Sequence, residues 1–131
     1  LVAHAKATRV NGRALSKDPL IRQQLAQLKI ELEADRLLYY RLAHLIDSGQ
    51  TPNYQASMQK VFATETAQKI TRTGMAILGP YGQLQKGSKW AVLSGMMEWY
   101  YRTSVVETIY AGTSEIQRNI IALRGLKLPS K

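Results

Sequence analysis

Between residues 19 and 48, apolar residues recur at intervals of four and three positions, which is the pattern of a long α-helix. Asp18 followed by Pro19 is typical of an N-cap and the first helical residue, and Gly49 is a stop signal. Leucines outside the stripe widen the apolar surface, which favours a helix packed inside a bundle. The stripe consists of Ile21, Leu25, Leu28, Leu32, Asp35, Tyr39, Leu42 and Ile46.

The acid in this stripe, Asp35, is expected to be paired rather than catalytic, because a lone buried carboxylate is costly. A second long helix is predicted from Pro52 to Leu78, with Thr51 as its N-cap. The short connection makes the two helices antiparallel neighbours. Glu65 is expected to meet a basic residue on a facing helix. The predicted core face is Met58, Phe62, Thr66, Ile70, Thr73 and Ile77, with Ala63, Ala67 and Gly74 allowing close approach.

The remaining segments are shorter. Residues 1–10 are compatible with the last turns of a helix, and Asn11-Gly12 marks a turn before a short loop. Residues 79–95 contain several glycines and predict a long loop, which in a compact domain usually serves a function or covers something. A short helix is expected from Met96 to Val106, with its aromatic residues in a core or an interface.

The C-terminal stretch predicts a capped helix. Thr113 and Ser114 can each cap it, Glu115 and Gln117 lie in its first turn, and Gly125 ends it. Small residues before such a cap leave backbone N–H groups open, where an anion or the polar edge of a cofactor can bind. The alternative is an ordinary capped surface helix.

Composition narrows the function classes. The 131 residues include no cysteine and only two histidines, which excludes a disulfide framework and argues against a metal site. The net charge of +9 is compatible with a solvated basic surface, a nucleic acid, an anionic membrane or a phosphorylated ligand. The basic residues form no run of three and match no nucleic-acid-binding signature, which favours a solvated surface.

Four segments together resemble the C-terminal part of acyl-CoA dehydrogenases. The family's terminal signature is similar to IYAGTSEIQRNIIALRGL, and its E-x-x-A-R-x-L helix is similar to LKIELEADRLLYYRLAHLIDSG. Its K-x-F-A-x-E helix and G-x-Y-G turn resemble KVFATETAQKITRTGMAILGPYG. Its R-x-x-G segment resembles LVAHAKATRVNGRALSKDPLIRQQLAQL. The resemblance covers nearly the whole chain.

This resemblance implies an all-α fold, an up-and-down four-helix bundle over residues 1–131 with its first helix truncated, as a fragment of a larger subunit. It implies fatty acid metabolism by a flavoprotein oxidoreductase, with FAD as cofactor and acyl-CoA as substrate, oxidised to trans-2-enoyl-CoA. It also implies a homo- or hetero-oligomer without nucleic acid or membrane insertion. A bacterial member would be cytoplasmic, and a eukaryotic one mitochondrial or peroxisomal.

By position, the resemblance places Tyr110 beside the acyl pocket, and Gly112, Thr113 and Glu115 at the FAD. Ala111 stands where many members carry the catalytic glutamate, so the base is expected outside this chain, on the bundle's first helix as in some members. Many members also hold a partner subunit's FAD through an arginine, a glutamine and a Gln-x-x-Gly-Gly turn. Those places are occupied here by Thr8 (with Arg9 beside it), Pro19, Ala76 and Pro80.

Two other functions stay open. A structural or degenerate subunit of a hetero-oligomer would explain Ala111 and the substituted FAD positions. A basic helical module that binds nucleic acid is supported by the net charge alone.

Overall fold

A computed structural model describes residues 1–130, and within them the chain forms five α-helices and one short antiparallel hairpin. The predicted all-α bundle is therefore confirmed. The helices are α1 (Val2–Ala7), α2 (Pro19–Asp47), α3 (Tyr54–Leu78), α4 (Met96–Glu107) and α5 (Ser114–Ile120), and the strands are β1 (Arg9–Val10) and β2 (Arg13–Ala14). Short 3-10 turns occur at Leu15–Lys17 and Gly79–Gln83, and a π-helical turn, Ile121–Gly125, extends α5.

Helix α2 begins where the sequence predicts. One carboxylate oxygen of Asp18 accepts hydrogen bonds from the backbone N–H groups of Leu20 (2.9 Å) and Ile21 (3.1 Å), so Asp18 is its N-cap. Asp35 accepts a hydrogen bond from the amide of Gln59 at 3.2 Å, so the acid on the stripe is paired, as expected.

The predicted stripe on α2 is only partly correct. Beyond Leu28 the side chains that turn toward the protein lie one position earlier than predicted, so Glu31, Leu38 and Leu45 are half-buried. Tyr39 and Ile46, which the heptad pattern placed inside, are each 61% exposed. The buried side of α2 depends on where α3 crosses it, which the periodicity of α2 alone does not determine.

Helix α3 is the centre of the bundle: α2, α4 and α5 all pack against it. The residues it buries are small or polar on several sides, namely Ser57, Val61, Thr66, Thr71, Gly74, Ile77 and Leu78. Thr66, Gly74 and Ile77 were predicted, whereas Met58, Phe62, Ile70 and Thr73 are only half-buried. The prediction of a single core face was wrong, because a central helix packs against neighbouring helices on several sides.

The start of α3 also differs from the prediction. Its N-cap is Asn53 rather than Thr51, and the helix begins at Tyr54. The side chain of Gln55 accepts a hydrogen bond from the N–H of Asn53 at 3.2 Å, which fixes the cap two residues later. Pro52 therefore precedes the cap instead of opening the helix.

The contact between α3 and α4 is close. A Cβ atom added to Gly74 would lie 2.5 Å from the sulfur of Met97, so the glycine leaves the space that Met97 fills. The hydroxyls of Thr71 and Ser104 lie 3.3 Å apart, and the amide of Gln68 donates to the carbonyl of Ser104 at 3.2 Å. Buried hydroxyls thus stay hydrogen-bonded where the helices meet.

The N-terminal loop contains a hairpin that was not predicted. Val10 pairs with Arg13, and Arg9 pairs with Ala14, around a two-residue turn at Asn11-Gly12. Both turn residues have positive φ (51° and 76°), as in the Asn-Gly turns that join paired strands. The flanking residues lack an apolar alternation, so only the turn was visible in the sequence.

A large apolar surface is left uncovered by the described residues, and no large side chain among them is fully buried. We predict that further chain or a partner subunit covers this surface. The exposed residues include Leu20, Ile30, Leu37, Tyr39, Tyr40 and Ile46 of α2, and Met96, Trp99, Tyr100, Tyr101, Val105 and Val106 of α4. The aromatic residues of α4 therefore do not lie in the core of this chain.

The predicted loop before α4 ends in a left-handed turn. Leu93, Ser94 and Gly95 all have positive φ (49°, 56° and 71°). A Cβ atom at Gly95 would lie 2.7 Å from the backbone carbon of Gln85, so only glycine fits there.

We expect Gly95→Ala to destabilise the fold by about 3 kcal/mol, because it combines left-handed strain with a backbone clash. Gly87→Ala is the matched control, since Gly87 has φ of 97° with open space around it, and we expect it to cost only about 1 kcal/mol. Denaturant unfolding of both variants measures the difference. Equal losses would show that the packing at Gly95 is not tight.

Candidate functional site

The turn before the last helix has an unusual backbone. Ala111 and Gly112 both have positive φ, 53° and 91°. Left-handed geometry costs a residue with a Cβ atom about 1 to 2 kcal/mol, so Ala111 must be held there by its surroundings.

Two side chains hold this turn by its carbonyl groups. The Lys60 ammonium, on α3, donates to the carbonyl of Gly112 at 2.8 Å. The Gln117 amide, on α5, donates to the carbonyl of Ala111 at 3.0 Å. The Lys60 nitrogen also lies 5.8 Å from the centre of the Tyr110 ring, a cation–π distance. Lys60 therefore contacts both ends of the turn.

The φ of 91° at Gly112 favours glycine. A Cβ atom there would lie 2.6 Å from the amide nitrogen of Gln117. The Gln117 amide therefore packs against Gly112, and a larger residue there would require this amide to shift.

Thr113, one of the two predicted candidates, is the N-cap of α5. Its hydroxyl oxygen accepts a hydrogen bond from the N–H of Ile116 at 3.3 Å. The side chain of Thr113, followed by the backbone N–H of Glu115 itself, lowers the pKa of the exposed Glu115 carboxyl. Glu115 is therefore an anion at neutral pH and a hydrogen-bond acceptor at the helix start.

An open polar cleft lies between α3 and α5. It is bordered by Thr113, Ser114 and Glu115 on one side and by Glu65, Gln68 and Arg72 on the other. Arg118 pairs with Glu65 at 2.6 Å across it, so the partner expected for Glu65 comes from the last helix. The Ser114 hydroxyl is buried without a hydrogen-bond partner in the described residues. Such orphaned hydroxyls are rare in proteins.

The predicted residues thus gather in one place: Tyr110, Gly112, Thr113 and Glu115 follow one another around the turn and the helix start. Tyr110 and Ala111 are both exposed, and residue 111 carries no proton acceptor. Sequence reasoning missed Lys60, and it missed the contact that Gln117 makes with the Ala111 carbonyl. A signal for Lys60 existed, because Lys60 and Glu65 are the first and last residues of the K-x-F-A-x-E motif.

The substituted positions elsewhere do not converge on a ligand. The Thr8 hydroxyl lies 3.3 Å from the His4 ring, and Pro19 is the first residue of α2. Ala76 and Pro80 are exposed and offer no side-chain hydrogen bond. Within residues 1–130, no three His, Cys, Asp or Glu side chains lie close enough to hold a metal ion. No helix in that range is long and apolar enough to span a membrane.

Known proteins match this chain along nearly its whole length. The family model for the C-terminal domain of acyl-CoA dehydrogenase matches residues 1–126. A 3-(aryl)acrylate reductase of Clostridium sporogenes is 35% identical, over 96% of this chain and 31% of its own. The mitochondrial short-chain specific acyl-CoA dehydrogenase of Bos taurus is 36% identical, over 96% of this chain and 29% of its own.

Solved structures agree with these sequence matches. The ChsE4-ChsE5 complex from Mycobacterium tuberculosis aligns with a TM-score of 0.88 and 33% identity, over 97% of this chain and 32% of that one. A glutaryl-coenzyme A dehydrogenase complex aligns with a TM-score of 0.85 and 26% identity, over 98% of this chain and 31% of that one. The chain spans about a third of the length of the relatives it matches.

We expect Lys60→Met to lower stability by about 1.5 to 3 kcal/mol, because it removes a charge-assisted hydrogen bond and keeps the aliphatic stem. It should also speed amide hydrogen exchange around the turn. Lys69→Met is the matched control: Lys69 is on the same helix, in an exposed pair with Glu31, and such pairs contribute about 0 to 1 kcal/mol. If both variants lost the same stability and residues 110–113 exchanged at the parent rate, Lys60 would not hold the turn.

Proposed function

Because this chain belongs to the acyl-CoA dehydrogenase family and carries its C-terminal domain, we propose that it serves an FAD-dependent enzyme that oxidises acyl-CoA to trans-2-enoyl-CoA. The observation that carries this proposal is the turn at residues 110–113, held in place by Lys60 and Gln117, within a family match over residues 1–126. The relatives extend well beyond the matched region, so the reaction would belong to a longer protein than these residues.

The family is FAD-dependent, and the residues at the turn suit a flavin. The cleft beside Thr113 and Glu115 offers a carboxylate, and the hydroxyl of Ser114 is buried and unpartnered. We assign the contacts to FAD to Gly112, Thr113 and Glu115, and a place beside the acyl group to Tyr110. Bound flavin supplies the acceptor for the hydride of the substrate. The chain's own contribution is to position the turn and to present polar atoms at the start of α5.

The proton of the substrate must be taken by a base from elsewhere. Ala111 has no titratable group, and Glu65 is engaged with Arg118. Glu115 is an exposed acid at the helix start rather than at the turn. A carboxylate outside residues 1–131 is therefore the base in this proposal.

The second candidate is a non-catalytic subunit of a hetero-oligomer, which Ala111 favours. A solved relative is described as a complex of two components, ChsE4 and ChsE5. The apolar surfaces of α2 and α4 fit an oligomer in either case. The enzyme and the structural subunit can be distinguished by an experiment under anaerobic conditions. An acyl-CoA is added to the protein expressed from its complete gene, and the flavin absorbance is followed. Bleaching of the flavin absorbance supports the enzyme, and an unchanged spectrum supports the structural subunit.

The compartment in this proposal follows the organism: the cytoplasm for a bacterial protein, and the mitochondrion or peroxisome for a eukaryotic one. A mitochondrial relative from Bos taurus is consistent with the second case.

We expect Thr113→Val in the complete protein to lower stability by about 1 kcal/mol through loss of the cap and to lower the flavin content per subunit. Thr113→Ser keeps the hydroxyl and should retain both. Unfolding curves and flavin absorbance after gel filtration provide the two readouts. A Val variant that is less stable but holds a full complement of flavin would limit Thr113 to capping.

A further inference from the structure

The loop that carries the candidate site is closed at its base by a backbone hydrogen bond. Helix α4 ends at Glu107 with Thr108 as its C-cap, and α5 begins at Ser114. The N–H of Ser114 donates to the carbonyl of Thr108 at 2.9 Å. Residues 109–113, which include Tyr110 and Gly112, are therefore held between these two helix ends.

The side chain of Gln68, on α3, binds the first of these ends. Its amide nitrogen donates to the carbonyl of Ser104 and to the hydroxyl oxygen of Thr108, each at 3.2 Å. Its amide oxygen accepts a hydrogen bond from the guanidinium of Arg72 at 3.1 Å. A carbonyl only accepts and a guanidinium only donates, so these partners fix the orientation of the amide.

Gln68 completes the hydrogen bonding at the end of α4. The last carbonyl groups of a helix have no N–H partner in a following turn. The N–H of Thr108 donates to the carbonyl of Val105 at 3.3 Å, and the Thr108 hydroxyl donates to the same carbonyl at 2.8 Å. Ser104 is only 3% exposed, so its carbonyl needs a donor from the protein, and the Gln68 amide is such a donor.

Two side chains of one helix thus fix the two ends of the loop. Gln68 holds Thr108, where the loop begins, and Lys60 holds the carbonyl of Gly112 near its end. The two residues lie about two turns apart on α3, or about 12 Å along its axis. Because both belong to the same helix, the distance between the two attachment points does not depend on the loop.

We propose that Gln68 is a positioning residue for the candidate site. It fixes where the chain leaves α4 and, through the bond between Thr108 and Ser114, where α5 begins. Its amide is engaged within the protein, so it acts through the loop rather than by contact with substrate. The inference rests on the proposed function, in which this loop places Tyr110 beside the acyl group and Thr113 at the flavin.

The test compares Gln68→Met with Gln59→Met in the protein expressed from its complete gene. Gln59→Met is the matched control, since the Gln59 amide links α3 to Asp35 of α2, also at 3.2 Å. With saturating acyl-CoA and no oxygen, we expect the flavin of Gln68→Met to bleach about tenfold more slowly than that of the parent, because misplaced reacting groups lower rates steeply. Gln59→Met should change this rate less than about twofold. The rates are measured at a temperature where unfolding curves show both variants to be folded.

Amide hydrogen exchange gives a second readout that does not depend on the reaction. The N–H of Ser114 should exchange about tenfold faster in Gln68→Met, which corresponds to the loss of about one hydrogen bond, and at the parent rate in Gln59→Met.

A third variant, Thr108→Val, removes the hydroxyl that Gln68 binds and should also slow the bleaching. Combining it with Gln68→Met should cause no loss beyond that of Gln68→Met alone, because both changes act through one contact.

The possible failures can be told apart. Equal bleaching rates in Gln68→Met and Gln59→Met, or parent-rate exchange at Ser114 in Gln68→Met, would overturn the positioning role and leave the proposed function intact. A parent protein whose flavin does not respond to acyl-CoA would overturn the proposed function, and the role of Gln68 in that reaction with it. If Gln68→Met does not fold, the comparison of Thr108→Val with Gln59→Met decides in the same way.

Discussion

The charged contacts between α3 and the C-terminal segment determine how the candidate site is built. Lys60 binds the carbonyl of Gly112, and Glu65 pairs with Arg118 one turn further along. These contacts join residues more than fifty positions apart, so they fix the turn and α5 against the centre of the bundle. The left-handed Ala111 depends on this, because nothing in its own sequence favours that geometry.

The central position of α3 explains its composition. A helix with neighbours on several sides must let their backbones approach, which small and hydroxyl-bearing residues allow. Gly74 admits Met97, and Thr71 meets Ser104. As a consequence the apolar core is small, since the residues that α3 buries remove little apolar surface from water. The large apolar side chains lie instead on the outer faces of α2 and α4, where the described residues leave them exposed. We expect further chain or a partner subunit to cover those faces and so to add hydrophobic stabilisation.

Two polar grooves of the described residues differ in their electrostatics. The cleft at α5 contains both signs of charge, with Glu115 and the Glu65–Arg118 pair. It suits a ligand with a mixed polar edge. A separate groove around the N-terminal hairpin is bordered by cations alone among its charged residues, namely Lys6, Arg9, Arg13, Lys17 and Arg22. The net positive charge of the chain by itself suggested no particular partner. Part of it is concentrated around the N-terminal hairpin.

Local sequence signals determined the elements whose causes are local. Asp18-Pro19 set the start of α2, Thr113 set the start of α5, and the long apolar periodicity set the helical class, because caps and periodicity act within a few residues. The resemblance located Tyr110, Gly112, Thr113 and Glu115 along the chain. Tertiary structure decided the rest. The face of α2 that packs depends on where α3 crosses it, which moved Tyr39 and Ile46 outward. The contacts of Lys60 and Gln117 and the gathering of five cations around the hairpin join residues whose proximity arises only when the chain folds.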